Sequence, residues 1–233
     1  MKKLVFILFF ISTAALSQQS DSTVVSSSWG EIIKNKKGTI VCNWYDSKPF
    51  IFEENGQIKG FEYDLMNSFI RYLEKKHAVE ITIKWVKLNA FHEVYDRIRK
   101  LETPVFGITA ISFTEARDKV VQFTPSYLPD ISVVVSSRKI PRANSKEEFN
   151  LIFKDLNAYT LHESTLEKML IDLREGNQLN FTINYTDRIG ELVDQVLNDE
   201  SSFAYVDLPT YLLALEQNRP VRRQYFNAVK LKG

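Results

Sequence analysis

The residues best suited to chemistry lie between Ala110 and Tyr127, where a hydroxyl and a guanidinium follow an apolar run. Ser112 comes directly after that run, and Arg117 follows five residues later. Thr114 is placed to cap a short helix that carries Arg117. An arginine presents a planar fork that matches the two oxygens of a carboxylate, and a nearby hydroxyl and free backbone N–H groups add further donors. The segment therefore predicts a site that holds a free carboxylate.

Other reactive patterns are absent from the sequence. It contains no GxGxxG or GxxxxGK[ST] phosphate-binding motif, no GxSxG elbow and no HExxH, and its three histidines are far apart. The single cysteine, Cys42, cannot form an internal disulfide, and its apolar surroundings predict a buried strand residue. No spacing of carboxylates selects an acid/base pair. The sequence therefore predicts a binding protein with no enzymatic activity, no metal and no cofactor.

The bulk properties exclude some partners. A chain of 233 residues with 44% hydrophobic and 25% charged residues has an ordinary globular composition, enough for one large domain or two small ones. Its formal net charge is +1, and no stripe of Lys and Arg with interleaved aromatics occurs. These features argue against a nucleic-acid partner.

The N-terminus has the pattern of a secretory signal peptide. Two lysines precede the apolar run Leu4–Leu16, and Ala15-Leu16-Ser17 places small residues where a signal peptidase reads. Residues 1–17 are therefore predicted to be a cleaved signal peptide of a periplasmic or otherwise exported protein. The run is short for a membrane span, although an uncleaved anchor is the alternative. Residues 18–37 begin with a stretch rich in Ser and Gln and are expected to be a flexible lead-in.

Strands and helices alternate along the rest of the chain. Asn55-Gly56 between two apolar segments predicts a hairpin. Further strands are expected at 39–42, 80–86, 105–111, 131–135, 158–161, 180–185 and 203–206, and helices from 64, 91, 165, 189 and 209. Two runs of alternating elements indicate an α/β chain with two lobes. We place lobe 1 at 38–135 and lobe 2 at 136–218.

Several segments resemble, in the same order, the motifs of one protein family. The segments are Lys48–Phe52 with Gly60–Leu65 (PPF…GFDVDL), Ile111–Arg117 (ITxTxxR), Phe123–Tyr127 (FSxPY), Glu163–Thr165 (GST) and Ala204–Pro209 (DAVVxDxP). The family is that of the family 3 extracellular solute-binding proteins, the amino-acid receptors of ABC transporters. The resemblance implies a type II, two-lobed periplasmic-binding-protein-like fold. It also implies a monomer that binds a small amino-acid-like ligand and meets the membrane permease of an ABC transporter.

The resemblance also implies roles for matching residues. Arg117 would clamp the ligand's carboxylate, assisted by Ser112 and by the backbone of Ala110 and Ser112. Ser164 and Thr165 would offer the N–H groups of a helix N-terminus to an anion. Asp207 would accept the ligand's ammonium group. Phe91, with Tyr45 or Trp44, would form apolar walls.

The same residues have plainer explanations. Ser164 begins a Ser-x-x-Glu capping box, and Asp207 is placed to cap the helix that follows it. Arg117 on a short helix is commonly a solvated charge. Phe91 fits the apolar stripe of its own helix, so core packing explains it as well.

The sequence departs from the family pattern in two places. Glu163 stands where the family has glycine, which places a negative charge beside the anion site. The family pattern ends with a segment that returns to lobe 1, but after Asn218 only residues 219–233 follow. One interpretation is that this return segment is truncated.

Two other functions stay open. A ligand-sensing or repurposed module without transport would use the same fold. A dehydratase-like enzyme on this scaffold would need an acid/base in the cleft, and Glu163 is the unusual candidate there.

Overall fold

The computed structural model describes residues 25–100 and 104–230, with side chains described up to residue 224. The helices are α1 (Trp29–Asn35), α2 (Phe61–His77), α3 (Phe91–Lys100), α4 (Glu115–Asp118), α5 (Lys146–Phe153), α6 (Thr165–Gly176), α7 (Ile189–Asn198) and α8 (Leu208–Glu216). The strands are β1 (Lys37–Trp44), β2 (Phe52–Glu54), β3 (Gln57–Lys59), β4 (Glu80–Lys87), β5 (Val105–Ile108), β6 (Ile131–Ser137), β7 (Asn157–Leu161), β8 (Thr182–Thr186), β9 (Ser202–Asp207) and β10 (Val221–Lys230). None of the helices so described is long and apolar enough to cross a membrane. The predicted signal peptide lies outside the described residues.

The first lobe is built on a three-stranded parallel sheet in the order β4-β1-β5. Consecutive residues of a strand point to opposite faces of its sheet, so β1 supplies two separate cores. Cys42 packs with Met66 and Ile70 of α2 on one face. Tyr45, just beyond the end of β1, packs with Phe91 and Val94 of α3 in the other core. The sheet thus holds the ends of β1 and β5 at one edge, from which the loops to the cleft emerge.

The second lobe is a five-stranded mixed sheet in the order β10-β6-β9-β7-β8. β7 runs parallel to β8 and β9, whereas β6 is antiparallel to both β9 and β10. Its core holds the largest cluster of buried apolar side chains in the described chain. Phe149 and Phe153 of α5 stack at 4.1 Å, and Phe203 of β9 meets Phe153 edge-on at 5.1 Å. This aromatic packing anchors α5 to the sheet.

The predicted alternation of strands and helices is confirmed, including the hairpin. Asn55 and Gly56 both have positive φ, at 54° and 73°, as a two-residue hairpin turn of the primed type requires. Gly60, which precedes α2, has φ of 117°, and a Cβ there would lie 2.3 Å from the carbonyl oxygen of Phe50. Glycine is therefore required where the hairpin passes into α2.

The expected flexible lead-in at 18–37 is wrong for its last part. Trp29–Asn35 forms helix α1, whose N-cap Ser28 and Glu31 make a capping box. Ile32 is buried against the first lobe, and Ser27 N donates to the carbonyl of Thr39 at 2.7 Å. Ser-rich composition suggested a loop, but here the serines cap a helix and pair with β1.

The boundary between the lobes also differs from the expected 135/136. All of β6 belongs to the second sheet, because Ser132–Ser136 pair with β9. The first lobe therefore ends before Ile131. The last strand, β10, pairs antiparallel with β6 and runs back from Ser137 to Ile131, toward the first lobe. Residues 219–233 were expected to return to lobe 1. Their described part instead forms β10, which is the edge strand of the second sheet.

Candidate functional site

A narrow pocket lies between the two lobes and is lined from both sides. Eight of the nine predicted site residues surround it: Tyr45, Phe91, Ala110, Ser112, Arg117, Ser164, Thr165 and Asp207. Trp44, the ninth, is not among the lining residues. The first lobe contributes the ends of β1 and β5, and the second lobe contributes the N-terminus of α6 and the end of β9. Segments distant in sequence are thus brought together where parallel strands end, the usual place for a ligand in α/β sheets.

Arg117 occupies the centre of this pocket on the one-turn helix α4. The side chain of Thr114 caps that helix by accepting from Arg117 N at 3.1 Å, as the sequence predicted. Arg117 is 8% exposed, so it is not the solvated surface charge that a short helix usually carries. Its guanidinium lies 5.4 Å from the ring centre of Phe91 and 5.2 Å from that of Tyr95. These rings hold a buried cation in place by cation–π contact.

The guanidinium joins the two lobes. Nη1 donates to the carbonyl of Ser112 at 3.0 Å, and Nη2 donates to the carbonyl of Glu163 in the second lobe at 3.0 Å. The hydroxyls of Ser112 and Thr165 also meet across the cleft at 3.0 Å. Burial lowers the pKa of Arg117, while the neighbouring Tyr95, Asp130 and Glu163 act in the opposite direction. Groups suited to holding a carboxylate therefore pair with one another in a closed arrangement of the lobes.

The N-terminus of α6 faces Arg117 from the second lobe. Ser164 caps this helix, accepting from Glu167 N at 3.1 Å, so the capping explanation for Ser164 is confirmed. Glu167 accepts from Glu163 N at 2.8 Å and not from the N–H of Ser164, so the cap is formed without the reciprocal bond of the predicted capping box. Thr165, the first residue of α6, directs its hydroxyl to Ser112. The helix N-terminus and its dipole thus lie at the cleft.

Glu163 adopts a backbone conformation that favours glycine. Its φ is 57°, in the left-handed region where residues other than glycine are strained. This explains why glycine suits the first position of the GST motif that Glu163–Thr165 resembles. In this chain the side chain of Glu163 is exposed at the rim, and only its carbonyl contacts Arg117.

Asp207 lies at the end of β9, directly before α8. It occupies the N-cap position, yet its side chain makes no capping hydrogen bond. The capping explanation for its carboxylate is therefore wrong, and the side chain faces the pocket instead. Burial above all, and then the charge of Asp130, raise the pKa of Asp207 to about 7.

Tyr45 and Phe91 form an aromatic wall, with ring centres 6.2 Å apart and nearly perpendicular. Phe91 also contributes to the core of the first lobe, so its packing and its pocket position are compatible. Trp44 is 2% exposed and does not line the pocket, and Lys87 Nζ lies 5.1 Å from its ring. Of the adjacent aromatics Trp44 and Tyr45, only Tyr45 lines the pocket.

The sequence interpretation missed Glu62. This residue lies in the first turn of α2, where an acidic side chain is ordinarily solvated, but it is 7% exposed. One of its oxygens, Oε1, accepts from the backbone N–H of Ala110 at 2.8 Å and from the hydroxyl of Tyr127. Burial raises the pKa of Glu62 to about 7, although both hydrogen bonds act against this. The N–H of Ala110 is thus already hydrogen-bonded to Glu62, and its carbonyl is the other backbone group that could assist a ligand. The only sequence signal was the place of Glu62 within the Gly60–Leu65 motif.

The described residues offer no group of three His, Cys, Asp or Glu side chains placed to hold a metal ion. The chemistry of the pocket is that of a guanidinium, several hydroxyls that include those of Ser112 and Thr165, a helix N-terminus, a carboxyl group and aromatic walls. Such a set can bind a small molecule that carries both an anionic and a cationic group.

Comparison with known proteins identifies relatives and similar folds. The chain is 25% identical over 187 residues to membrane-bound lytic murein transglycosylase F of Methylobacillus flagellatus; the match covers 79% of this chain and 37% of the relative. The chain thus spans little more than a third of the length of that relative.

Two solved structures show the same fold. One is the ancestral amino acid-binding protein AncCDT-1, a precursor of cyclohexadienyl dehydratase, with TM-score 0.69, 20% identity and coverage of 88% of this chain and 84% of that chain. The other is a histidine kinase sensor domain with similarity to periplasmic binding proteins, with TM-score 0.66, 16% identity and coverage of 85% and 82%. The predicted type II, two-lobed periplasmic-binding-protein fold is therefore confirmed.

The family model of the bacterial extracellular solute-binding proteins, family 3, matches residues 40–196, which include most of both lobes. The match contains the Arg117 segment and the start of α6. The chain belongs to the bacterial extracellular solute-binding proteins, family 3.

Proposed function

We propose that this chain is an exported binding protein that closes two lobes around a small amino-acid-like solute and delivers it to the permease of an ABC transporter. The observation that carries the proposal is the meeting of Arg117 with Glu163 O and of Ser112 with Thr165 across the cleft. Each lobe supplies half of the polar groups, so a ligand bound between them would favour the closed arrangement. Such differential binding is what drives lobe closure.

The ligand groups follow from the chemistry of the pocket. A carboxylate would displace the backbone carbonyls that Arg117 now contacts, because a guanidinium binds a charged carboxylate more strongly than a neutral carbonyl. Thr165 and the N-terminus of α6 would complete the anion site from the second lobe. Asp207, which caps nothing, would accept the ammonium group, and Tyr45 with Phe91 would cover the ligand's apolar part.

The hinge is proposed to lie at the segment before β6 and at β10. β6 and β10 are antiparallel neighbours in the second sheet, so the start of β6 at Ile131 lies beside the end of β10 at Lys230. Rotation about short connections of this kind moves one lobe against the other without disturbing either core.

Isothermal titration of the purified chain against the common amino acids tests the proposal. We expect heat from one class of amino acid, abolished by Arg117→Ala and retained by the surface control Arg71→Ala. Absence of heat from a folded chain with every amino acid would overturn the amino-acid hypothesis.

Small-angle scattering should show a smaller radius of gyration with the ligand bound, and an unchanged radius would contradict lobe closure.

A ligand-sensing module without transport is the second candidate. It is favoured by the likeness to a histidine kinase sensor domain and by the match to only 37% of a larger relative. The two functions differ in the partner, since a transport receptor stimulates the ATPase activity of its permease when the ligand is bound. Reconstitution with a candidate permease separates them.

An enzymatic role has weaker support. The solved structure described as a precursor of cyclohexadienyl dehydratase shares the fold only. Glu163, the residue considered for acid/base chemistry, directs an exposed side chain to the rim. Product formation from a prephenate-like acid, lost in Glu163→Gln, would reverse this assessment.

A further inference from the structure

A second cavity adjoins the pocket that holds Arg117. The two spaces share Phe50, Ala110, Ser112 and Asp207 in their walls, so they are direct neighbours in the cleft. The second cavity has a volume of about 160 Å³ and is partly open to solvent. A ligand held at Arg117 therefore has room to extend in this direction.

Two carboxyl groups line this second cavity. Asp207 is shared with the Arg117 pocket, and Asp130 lies on the segment that leads into β6. Oδ2 of Asp130 is buried, and no hydrogen-bond partner for it occurs among the described residues. Burial raises the pKa of Asp130 even though Ser112 and Arg117 act in the opposite direction. An unpaired buried carboxylate oxygen is costly, and a cationic group in the cavity would supply a partner for it.

A third carboxyl group lies directly behind the cavity wall. Glu62 accepts through Oε1 from Ala110 N and Tyr127 Oη, and both of these residues line the cavity. Its second oxygen, Oε2, is buried without a hydrogen-bond partner in the described chain. The Glu62 and Asp130 carboxyls both disfavour ionisation of Asp207, so the three groups interact.

The charges in the cleft do not balance for a simple amino acid. The two spaces hold one guanidinium, that of Arg117, and the carboxyl groups of Asp130 and Asp207, with Glu62 behind the wall. A zwitterionic ligand brings one carboxylate for Arg117 and one ammonium for Asp207, and adds no net charge. Asp130, when ionised, would then have no countercharge in a largely buried site, whereas burial favours the protonated form of Glu62 by raising its pKa to about 7. A second cationic group on the ligand would balance the charge of Asp130.

We propose that the second cavity is a subsite for a second cationic group, so that the ligand is an amino acid with a cationic side chain rather than a neutral one. This proposal rests on the proposed function, since it assumes that Arg117 holds the ligand's carboxylate. The remaining wall suits the aliphatic stem of such a side chain. It includes Phe113 and Phe123, whose ring centres are 5.3 Å apart, and Leu128.

Matched pairs of ligands test the charge directly. Isothermal titration would compare L-lysine with L-norleucine and L-arginine with L-citrulline, because each pair has nearly the same shape and differs in charge. We expect the cationic member of at least one pair to bind tenfold or more tightly. Equal affinities within both pairs would overturn the subsite while leaving amino-acid binding intact. No binding of any amino acid would overturn the proposed function as well.

Variants locate the subsite. Asp130→Asn should reduce the preference for the cationic ligand at least fivefold, because the amide removes the charge and preserves the shape. Asp118→Asn changes an exposed carboxylate next to Arg117 in sequence and should leave the preference unchanged. Far-ultraviolet circular dichroism verifies that both variants fold. An unchanged preference in folded Asp130→Asn would overturn the assignment of Asp130.

Discussion

Arg117 of the first lobe donates a hydrogen bond from Nη2 to the backbone carbonyl of Glu163 in the second lobe, at 3.0 Å. The same guanidinium also holds the carbonyl of Ser112 in its own lobe at 3.0 Å. One side chain therefore both shapes its own loop and connects the lobes. Its contacts to two neutral carbonyls resemble those that the two oxygens of a carboxylate would make.

Replacing Arg117 by lysine should show how much of the binding depends on the shape of the guanidinium and how much on its charge. Arg117→Lys keeps the positive charge but offers a single ammonium in place of a planar fork, so we expect the affinity for the amino-acid ligand to fall about 10- to 100-fold, the loss of one charge-assisted hydrogen bond. Titration calorimetry measures this. Without ligand, Arg117→Ala should also populate more open lobes, seen as a larger radius of gyration. Equal affinity of Arg117→Lys and the wild type would contradict a bidentate clamp.

Glu62 should make the stability of the ligand-free protein depend on pH. Its pKa is raised to about 7 from an ordinary value of 4.5, chiefly by burial. The folded state therefore binds more protons than the unfolded chain between these values, and the free energy of unfolding falls as pH rises through this window. The full effect of Glu62 alone corresponds to about 3 kcal/mol. Burial also raises the pKa of Asp207, so Asp207 should likewise lower the free energy of unfolding as the pH rises.

Urea denaturation of the wild type and Glu62→Gln between pH 4.5 and 8 tests this expectation. The amide cannot ionise, so the variant should lose less stability than the wild type as the pH rises. Glu80→Gln, which alters an exposed carboxylate, is the control and should follow the wild type. A stability difference between wild type and Glu62→Gln that stays constant with pH would contradict the prediction.

The charge of Glu163 should weaken carboxylate binding by a small amount. The side chain is exposed at the rim, so solvent screens it, and its effect should stay below about 1 kcal/mol. We expect Glu163→Gln to bind the ligand up to about fivefold more tightly at low salt, with the gain shrinking as salt is added. Glu163→Gly should show the same gain and also relieve the positive φ of 57°. Weaker binding by Glu163→Gln would indicate that this carboxylate contacts the ligand's cationic group.

Gln224 should be important for the stability of the second lobe. It is fully buried on β10, where Nε2 donates to Ser136 Oγ at 3.1 Å and to Pro141 O at 3.2 Å, and Oε1 accepts from Ala143 N at 3.0 Å. Gln224→Met has a similar volume but leaves these groups unpaired, so we expect a loss of about 3 kcal/mol in the free energy of unfolding. Thermal denaturation measures it against the exposed control Gln217→Ala. A loss equal to that of the control would contradict this role.

Much of the fold could be predicted because it rests on local patterns. Apolar residues at helical or alternating spacing located nearly all the strands and helices, and Asn55-Gly56 located the hairpin through its positive φ angles. The loop with Ser112, Thr114 and Arg117 was recognisable because a cap, a hydroxyl and a guanidinium occur within one short segment. The serines at 26–28 were misleading, since serines that cap a helix such as α1 resemble those of a flexible segment.

The remaining features depend on long-range contacts that spacing cannot reveal. Trp44 and Tyr45 are adjacent, and only the position of β1 between β4 and β5 decides that Tyr45 reaches the cleft. Glu62 looks like an ordinary acidic residue in a first helical turn, yet Ala110 and Tyr127, 48 and 65 residues away, enclose it. The sequence by itself determined the family, the two α/β lobes and the Arg117 loop. The tertiary structure decided which carboxyl groups are buried, because burial is set by surfaces that meet only when the chain has folded.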